Sequence, residues 1–173
     1  IPSEEYEVIC VNDGSTDGSR GILEAFGARY PNLILINQAN SGVSTARNRG
    51  MKAARGMFLW FVDADDFILP GILGALWTAA RETPCDRILL GGYQFTDALI
   101  PAEAEQSRRE ELPINVPGPD AVVWRSLLRR EFLLQQGLSF RYPELTHGED
   151  GLFMYELSQC APVTVTINRV LYF

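Results

Sequence analysis

Two short runs of the sequence place carboxylates where ligands are commonly handled. Asp63-Ala64-Asp65-Asp66 follows directly on the apolar run Met57 to Val62, and Asn12-Asp13-Gly14-Ser15 follows the apolar, β-prone run Tyr6 to Val11. If those runs are strands of an open parallel sheet, both acidic turns lie just beyond strand carboxyl ends, where such sheets bind ligands. Alternation along an extended chain puts Asp63 and Asp65 on one side. Two carboxylates so placed repel unless a cation or hydrogen-bond donors compensate. A hard divalent ion, held by one or two carboxylates together with substrate phosphates, meets that need. Asp66 taken alone reads more simply as the cap of a turn or helix.

The elements that must position these turns can be read from periodicity. After Asn12-Asp13-Gly14-Ser15 a helix is expected, with Ser15, Thr16 or Asp17 able to cap it and Pro31 ending it. Leu33 to Ile36 reads as a second strand. Asn40-Ser41-Gly42 opens another helix, with Val43, Ala46, Gly50, Met51 and Ala54 on one small-residue face and Gly56 as its C-terminal glycine. Met57 to Val62 is apolar throughout, which predicts a strand covered on both faces, as in a parallel sheet. Pro70 suits the first turn of a helix carrying Ile72, Leu73, Leu76 and Ala80, and a strand is expected from Arg87 to Phe95. The alternation predicts an α/β layered sheet.

Beyond Phe95 the pattern changes. Ala98 to Pro119 carries Glu103, Glu105, Arg108, Arg109, Glu110 and Glu111, then Pro113, Pro117 and Pro119, and reads as a surface excursion or an acceptor-side flap. Trp124 to Leu134 and Asp150 to Cys160 read as partly helical, and Val163 to Phe173 as a final strand. Residues 1–97 thus form one part and 98–173 another within a single domain.

Bulk properties narrow the function classes. A chain of 173 residues is long enough for a real core. The net charge of −7 argues against nucleic-acid binding, although a metal ion could still offset the charge around one bound nucleotide. Cys10, Cys85 and Cys160 form no C-x-x-C pair, so a reducing compartment is expected rather than a disulfide framework or zinc site. No apolar run approaches the ~20 residues of a membrane span, and no signal peptide opens the chain.

Four segments, in order, resemble the motifs of family 2 glycosyltransferases with the GT-A fold. They are Glu7-Val8-Ile9-Cys10-Val11-Asn12-Asp13-Gly14-Ser15-Thr16-Asp17-Gly18-Ser19, Asn40-Ser41-Gly42-Val43-Ser44-Thr45-Ala46-Arg47-Asn48-Arg49-Gly50, Phe61-Val62-Asp63-Ala64-Asp65-Asp66, and Gly148-Glu149-Asp150 followed by Phe153. The resemblance implies a mixed sheet flanked by helices and an inverting transfer of sugar from a nucleotide donor, a UDP-sugar, to a glycan or lipid-linked acceptor. It places that chemistry in bacterial surface-polysaccharide assembly, in the cytoplasm at the inner face of the membrane.

The same resemblance implies roles for individual residues. Asp13 would accept a hydrogen bond from the donor's nucleobase, uracil. Arg47 would face the nucleotide, where a guanidinium suits phosphate or a stacked base; its plain alternative is a surface ion pair. Asp63 would bind the ribose or the water shell of the metal, and Asp65 would ligate Mn²⁺ or Mg²⁺. Asp150 would be the general base that takes the acceptor's hydroxyl proton. Glu149 is the other candidate base, or orients a neighbour, and is grouped with the nucleotide-sugar contacts. A Glu-Asp pair at a helix start also has a plain reading, its favourable interaction with the helix dipole. His147 reads as a structural histidine.

The chain also departs from the family pattern. Trp124-Arg125-Ser126-Leu127-Leu128 lacks the lysine and tyrosine of the family's Trp-x-Lys-Leu-Tyr segment. The family's first strand should precede Ile1, and a basic segment, through which peripheral membrane contact would run, should follow Phe173. Without the first strand, interior strands are expected to show unpaired edges, and the piece alone to be poorly stable and inactive. Two other readings compete: a phosphoryl-transfer enzyme using Asp63 as nucleophile, which Asp66-Phe67 fits poorly, and a non-catalytic nucleotide-sugar binding module.

Overall fold

The structure is a computed structural model that describes residues 1–66, 68, 71–91, 122–141, 145 and 147–170. Pro70, the Ala98 to Pro119 stretch and the ends of the strands expected to reach Phe95 and Phe173 lie outside the described residues.

The chain alternates β1 (Val8–Asp13), α1 (Ser19–Arg29), β2 (Leu33–Gln38), α2 (Val43–Ala53), β3 (Phe58–Trp60), α3 (Ile72–Glu82) and β4 (Arg87–Gly91). After a 3-10 turn at Val123–Arg125 come β5 (Ser126–Arg129), α4 (Arg130–Gln135), α5 (Glu149–Gln159) and β6 (Thr164–Val170). The strands form two sheets: β1 pairs in parallel with β2, and the second sheet runs β3-β5-β4-β6. In it β5 is antiparallel to both β3 and β4, while β4 and β6 are parallel, so the expected mixed α/β sheet is present. Among the described residues β1 and β3 each have a strand partner on one side only.

The second sheet separates two apolar clusters, and strand alternation decides which residue joins which. Leu59 and Phe61 face Val123, Leu128, Leu133, Phe140, Phe153 and Leu157, whereas Phe58 and Trp60 face Ile72, Leu76, Ile88, Leu90 and Leu127. Phe58 to Phe61 are thus covered on both faces as expected, but Met57 and Val62 at the ends of the run are exposed, the hydrogen-bonded neighbour is antiparallel, and only Phe58–Trp60 join the ladder.

Several boundaries differ from the sequence reading. β1 and β2 each run two residues further, because Asn12 and Asp13 pair with Asn37 and Gln38. α1 begins at Ser19, and of the three candidate caps it is Asp17 that accepts from the Ser19 N–H, at 3.0 Å. α2 ends at Ala53 with Ala54 extended (φ −66°, ψ 140°), so Gly56 is not its C-terminal glycine. Instead the Arg55 and Gly56 N–H groups donate to Glu7 Oε1 at 2.6 and 2.9 Å. Within Trp124 to Leu134, four residues form the strand β5, its Ser126, Leu127 and Leu128 all buried.

Candidate active site

The end of β1 is built as a rigid turn. Asn12 is buried, donates from Nδ2 to Asn37 Oδ1 (2.8 Å) and accepts the Ser15 N–H at Oδ1 (3.0 Å). Gly14 sits at φ +76°, and a Cβ there would stand 2.7 Å from the Asn40 amide nitrogen. Only glycine lets this turn meet the 39–42 loop so closely.

That approach places Asp13 at the start of α2. Its Oδ1 accepts from Gln38 Nε2 (2.7 Å) and the Ser41 N–H (2.8 Å), and its Oδ2 from the Gly42 N–H (2.9 Å). The carboxylate therefore meets unsatisfied N–H groups at a helix N-terminus, the favourable end for an anion. Each carboxylate oxygen can accept twice, so Oδ2 keeps capacity for one further donor from a ligand.

About one turn into α2, Arg47 gathers three other predicted residues. Nη1 donates to Glu149 Oε1 at 2.9 Å and to Asp150 Oδ1, and Nη2 donates to Asp63 Oδ1 at 3.1 Å. The Arg47 side chain is only 12% exposed, against 36, 13 and 18% for Asp63, Glu149 and Asp150. Its guanidinium also lies over the Phe140 ring, 5.3 Å from the centroid, a favourable place for a cation. Arg47 is therefore no surface ion pair; it ties α2, the turn after β3 and α5 together.

Asp150 stands on the buried face of α5, one turn before Phe153 and Met154. Phe153 stacks on Phe140 (4.3 Å between centroids), and Phe61 meets both rings edge-on. Asp150 Oδ2 accepts the Val123 N–H at 3.3 Å. Burial pushes the Asp150 carboxyl up from the usual aspartate range; the Arg47 cation and the Val123 N–H oppose this, while Glu149 and Asp63 add to it. Glu149 and Asp150 both occupy the first turn of α5, so the dipole reading applies as well.

Asp63 and Asp66 close a turn, the Asp66 N–H donating to the Asp63 carbonyl at 3.2 Å. The chain has left the extended conformation there, so the alternation that placed Asp63 and Asp65 on one side does not apply. The bond closing the turn is made by the Asp66 backbone N–H. Asp65 is exposed at the turn. Among the described residues no group of three or more His, Cys, Asp or Glu side chains could hold a metal ion. A Mn²⁺ or Mg²⁺ ion held by one carboxylate, donor phosphates and water needs no such group, so Asp65 fits it. His147 is exposed next to α5.

Sequence reasoning did not single out Gln38, Asn48, Phe140 or the Val123 N–H. Asn48 Nδ2 donates to the Phe140 carbonyl (2.7 Å) and its Oδ1 accepts the Phe140 N–H (2.9 Å), fixing the ring under Arg47. Asn48 lies inside the Arg47-Asn48 motif, and that adjacency was the available signal. Phe140 and Val123 had none, being ordinary apolar residues far away in sequence. Trp124 contributes its carbonyl, which accepts from Trp60 Nε1 at 2.7 Å.

Comparisons with known proteins identify the family and the fold. Residues 2–136 match the profile of Glycosyl transferase family 2. The uncharacterized glycosyltransferase EpsJ of Bacillus subtilis is 34% identical over 160 residues, covering 86% of this chain and 46% of that protein. The poly(ribitol-phosphate) beta-glucosyltransferase of Bacillus spizizenii is 38% identical over 93 residues, 53% of this chain and 14% of its own length. The crystal structure of S. aureus TarS 1-349 in complex with UDP superposes with a TM-score of 0.80 at 25% identity, over 99% of this chain and 52% of that one. The chain thus spans about half the length of EpsJ and of that TarS structure. Among the described residues no helix is long and apolar enough to cross a membrane.

Proposed function

The chain belongs to glycosyl transferase family 2 with a GT-A fold, and on that premise we propose that its full-length protein is an inverting glycosyltransferase. It moves a sugar from a UDP-sugar to a hydroxyl of a glycan or lipid-linked acceptor, in the synthesis of a bacterial surface polymer. The observation that carries the reading is the convergence of Arg47, Asp63, Glu149 and Asp150 from three separate elements. The UDP held by TarS and the polymer named for the Bacillus spizizenii relative fit the donor and acceptor classes.

In this reading Asp13 accepts a nucleobase N–H at Oδ2, and Asp63 faces the ribose side. Asp65 holds Mn²⁺ or Mg²⁺, which when bound supplies stabilisation of the charge building on the departing diphosphate. Asp150 takes the proton of the acceptor hydroxyl while that oxygen attacks the anomeric carbon from the face opposite the diphosphate. The bond from that carbon to the diphosphate oxygen breaks, and the nucleoside diphosphate leaves with the electron pair. Each Asp150 oxygen has one lone pair left beyond Arg47 and Val123 to receive the proton. Glu149 shares Arg47 and helps set the charge around the donor. Asp63 is engaged by Arg47, which disfavours the competing reading of Asp63 as a phosphoryl-accepting nucleophile.

A screen of nucleotide-sugars with the full-length protein, with and without Mn²⁺ or Mg²⁺, tests this by release of free nucleoside diphosphate. Release from a UDP-sugar, lost on chelation, is expected. Turnover with no UDP-sugar sinks the donor assignment, and turnover indifferent to chelation removes Asp65 from the metal role.

A further inference from the structure

We propose that Arg47 is a positioning residue for the reaction, acting through the Asp150 carboxylate rather than through the donor nucleotide. The proposal rests on the reading of Asp150 as the base.

Geometry supports it in three ways. First, the guanidinium is already engaged: Nη1 serves two neighbouring carboxylates of α5 and Nη2 a third from the turn after β3. Second, it is largely shielded, with the Phe140 ring beneath it and that ring pinned to α2 through Asn48. Third, the residue suited to the nucleobase, Asp13, stands at the other end of the α2 N-terminal segment, clasping the Ser41 and Gly42 N–H groups.

The consequence for Asp150 is a hold at two points, Oδ1 on Arg47 and Oδ2 on the Val123 N–H. Together these fix the plane of the carboxylate and aim its remaining lone pairs. Without the guanidinium, Asp63, Glu149 and Asp150 face one another as like charges, and Asp150 keeps a single anchor. A base displaced by ~1 Å can cost about 100-fold in rate.

The groups facing Asp150 are Arg47 from α2, Asp63 after β3, Glu149 on its own helix and the Val123 N–H from the 3-10 turn. Of these, Arg47 is the cation that favours the ionised base. Its removal therefore moves the acid limb of the kcat profile to higher pH, an effect that a merely structural arginine would lack.

The test is steady-state kinetics of the full-length Arg47→Gln and Arg47→Lys proteins over pH, with calorimetric UDP binding. Arg47→Gln is expected to lower kcat about 100-fold, raise the acid limb and leave donor KM and UDP affinity within about two-fold. Arg47→Lys should restore the acid limb but only part of kcat, because an ammonium lacks the planar fork that spans several carboxylates. If Arg47→Gln does not fold, Arg47→Gln/Glu149→Gln, measured against Glu149→Gln, removes the like-charge excess and reads the same quantities. A loss confined to donor KM and UDP affinity, with kcat and acid limb unmoved, overturns the proposal and returns Arg47 to the nucleotide. Undiminished turnover in Asp150→Asn overturns the base reading and the proposal together, so the two failures are told apart.

Discussion

Asp13 and Asp150 are both carboxylates held at two oxygens, but by different kinds of partner. Asp13 is met by neutral donors, a side-chain amide and two backbone N–H groups. Asp150 is met by one backbone N–H and by a cation that it shares with Asp63 and Glu149. Neutral donors at a helix start fix a carboxylate whatever the charge state of its neighbours, which suits a group that reads a ligand. A cation shared with two other carboxylates makes the proton affinity of Asp150 depend on Arg47, Glu149 and Asp63, which suits a group that must accept a proton and give it up.

The largest expected effect separates these roles directly. Asp150→Asn should lower kcat by about 10²- to 10⁴-fold, the usual worth of a general base, and leave UDP binding unchanged by calorimetry. Asp13→Asn should do the reverse, weakening UDP binding by about 1–3 kcal/mol, because an amide must turn one N–H against a donor of the 41–42 segment. If both variants lose only kcat, the division between reader and base collapses.

A smaller effect is expected at Gly14, which supports only the Asp13 side. Gly14→Ala should cost about 1–2 kcal/mol from the left-handed backbone alone, with added displacement of the 39–42 loop. Thermal unfolding and UDP affinity should both fall, while the acid limb of the pH profile stays in place. Movement of that limb would show the two regions to be coupled.

The smallest effect concerns pH. Burial raises the Asp150 carboxyl more than Arg47 and Val123 lower it, and in the proposed role Asp150 works only when ionised. Activity should therefore fall as pH drops through a value above the ordinary aspartate range, and an acid limb at or below that range would contradict the burial argument.

Much of this was legible in the sequence because its motifs sit at element ends. Asp13, Arg47, Asp63, Glu149 and Asp150 all stood out, and Asp150 falls on the face of Phe153 and Met154 by simple helical spacing. The identity of Arg47's partners was not legible, since the ion pairs to Glu149 and Asp150 join residues 102 and 103 positions apart. The strand β5 was missed because a short apolar run carries no period that tells strand from helix. The extension of β1 through Asn12 and Asp13 was missed because turn-forming residues were kept in the ladder by pairing with Asn37 and Gln38. Gly56 misled for a related reason: its N–H is needed by Glu7, not its conformational freedom.

The helix α2 touches both sheets, with Gly50 against Val11 of β1 and Met51 against the cluster around β3 and α5. It follows directly on the Asp13 clasp at Ser41 and Gly42, and it carries Arg47 five residues after Gly42. At 1.5 Å of rise per residue that interval is about 7.5 Å along the axis, set by covalent geometry. In the proposed reading the helix acts as a ruler between the end of the site that selects and the end that reacts. A one-residue insertion between Gly42 and Arg47 would lengthen it by about 1.5 Å and turn Arg47 by about 100° away from α5, leaving each half intact but out of phase.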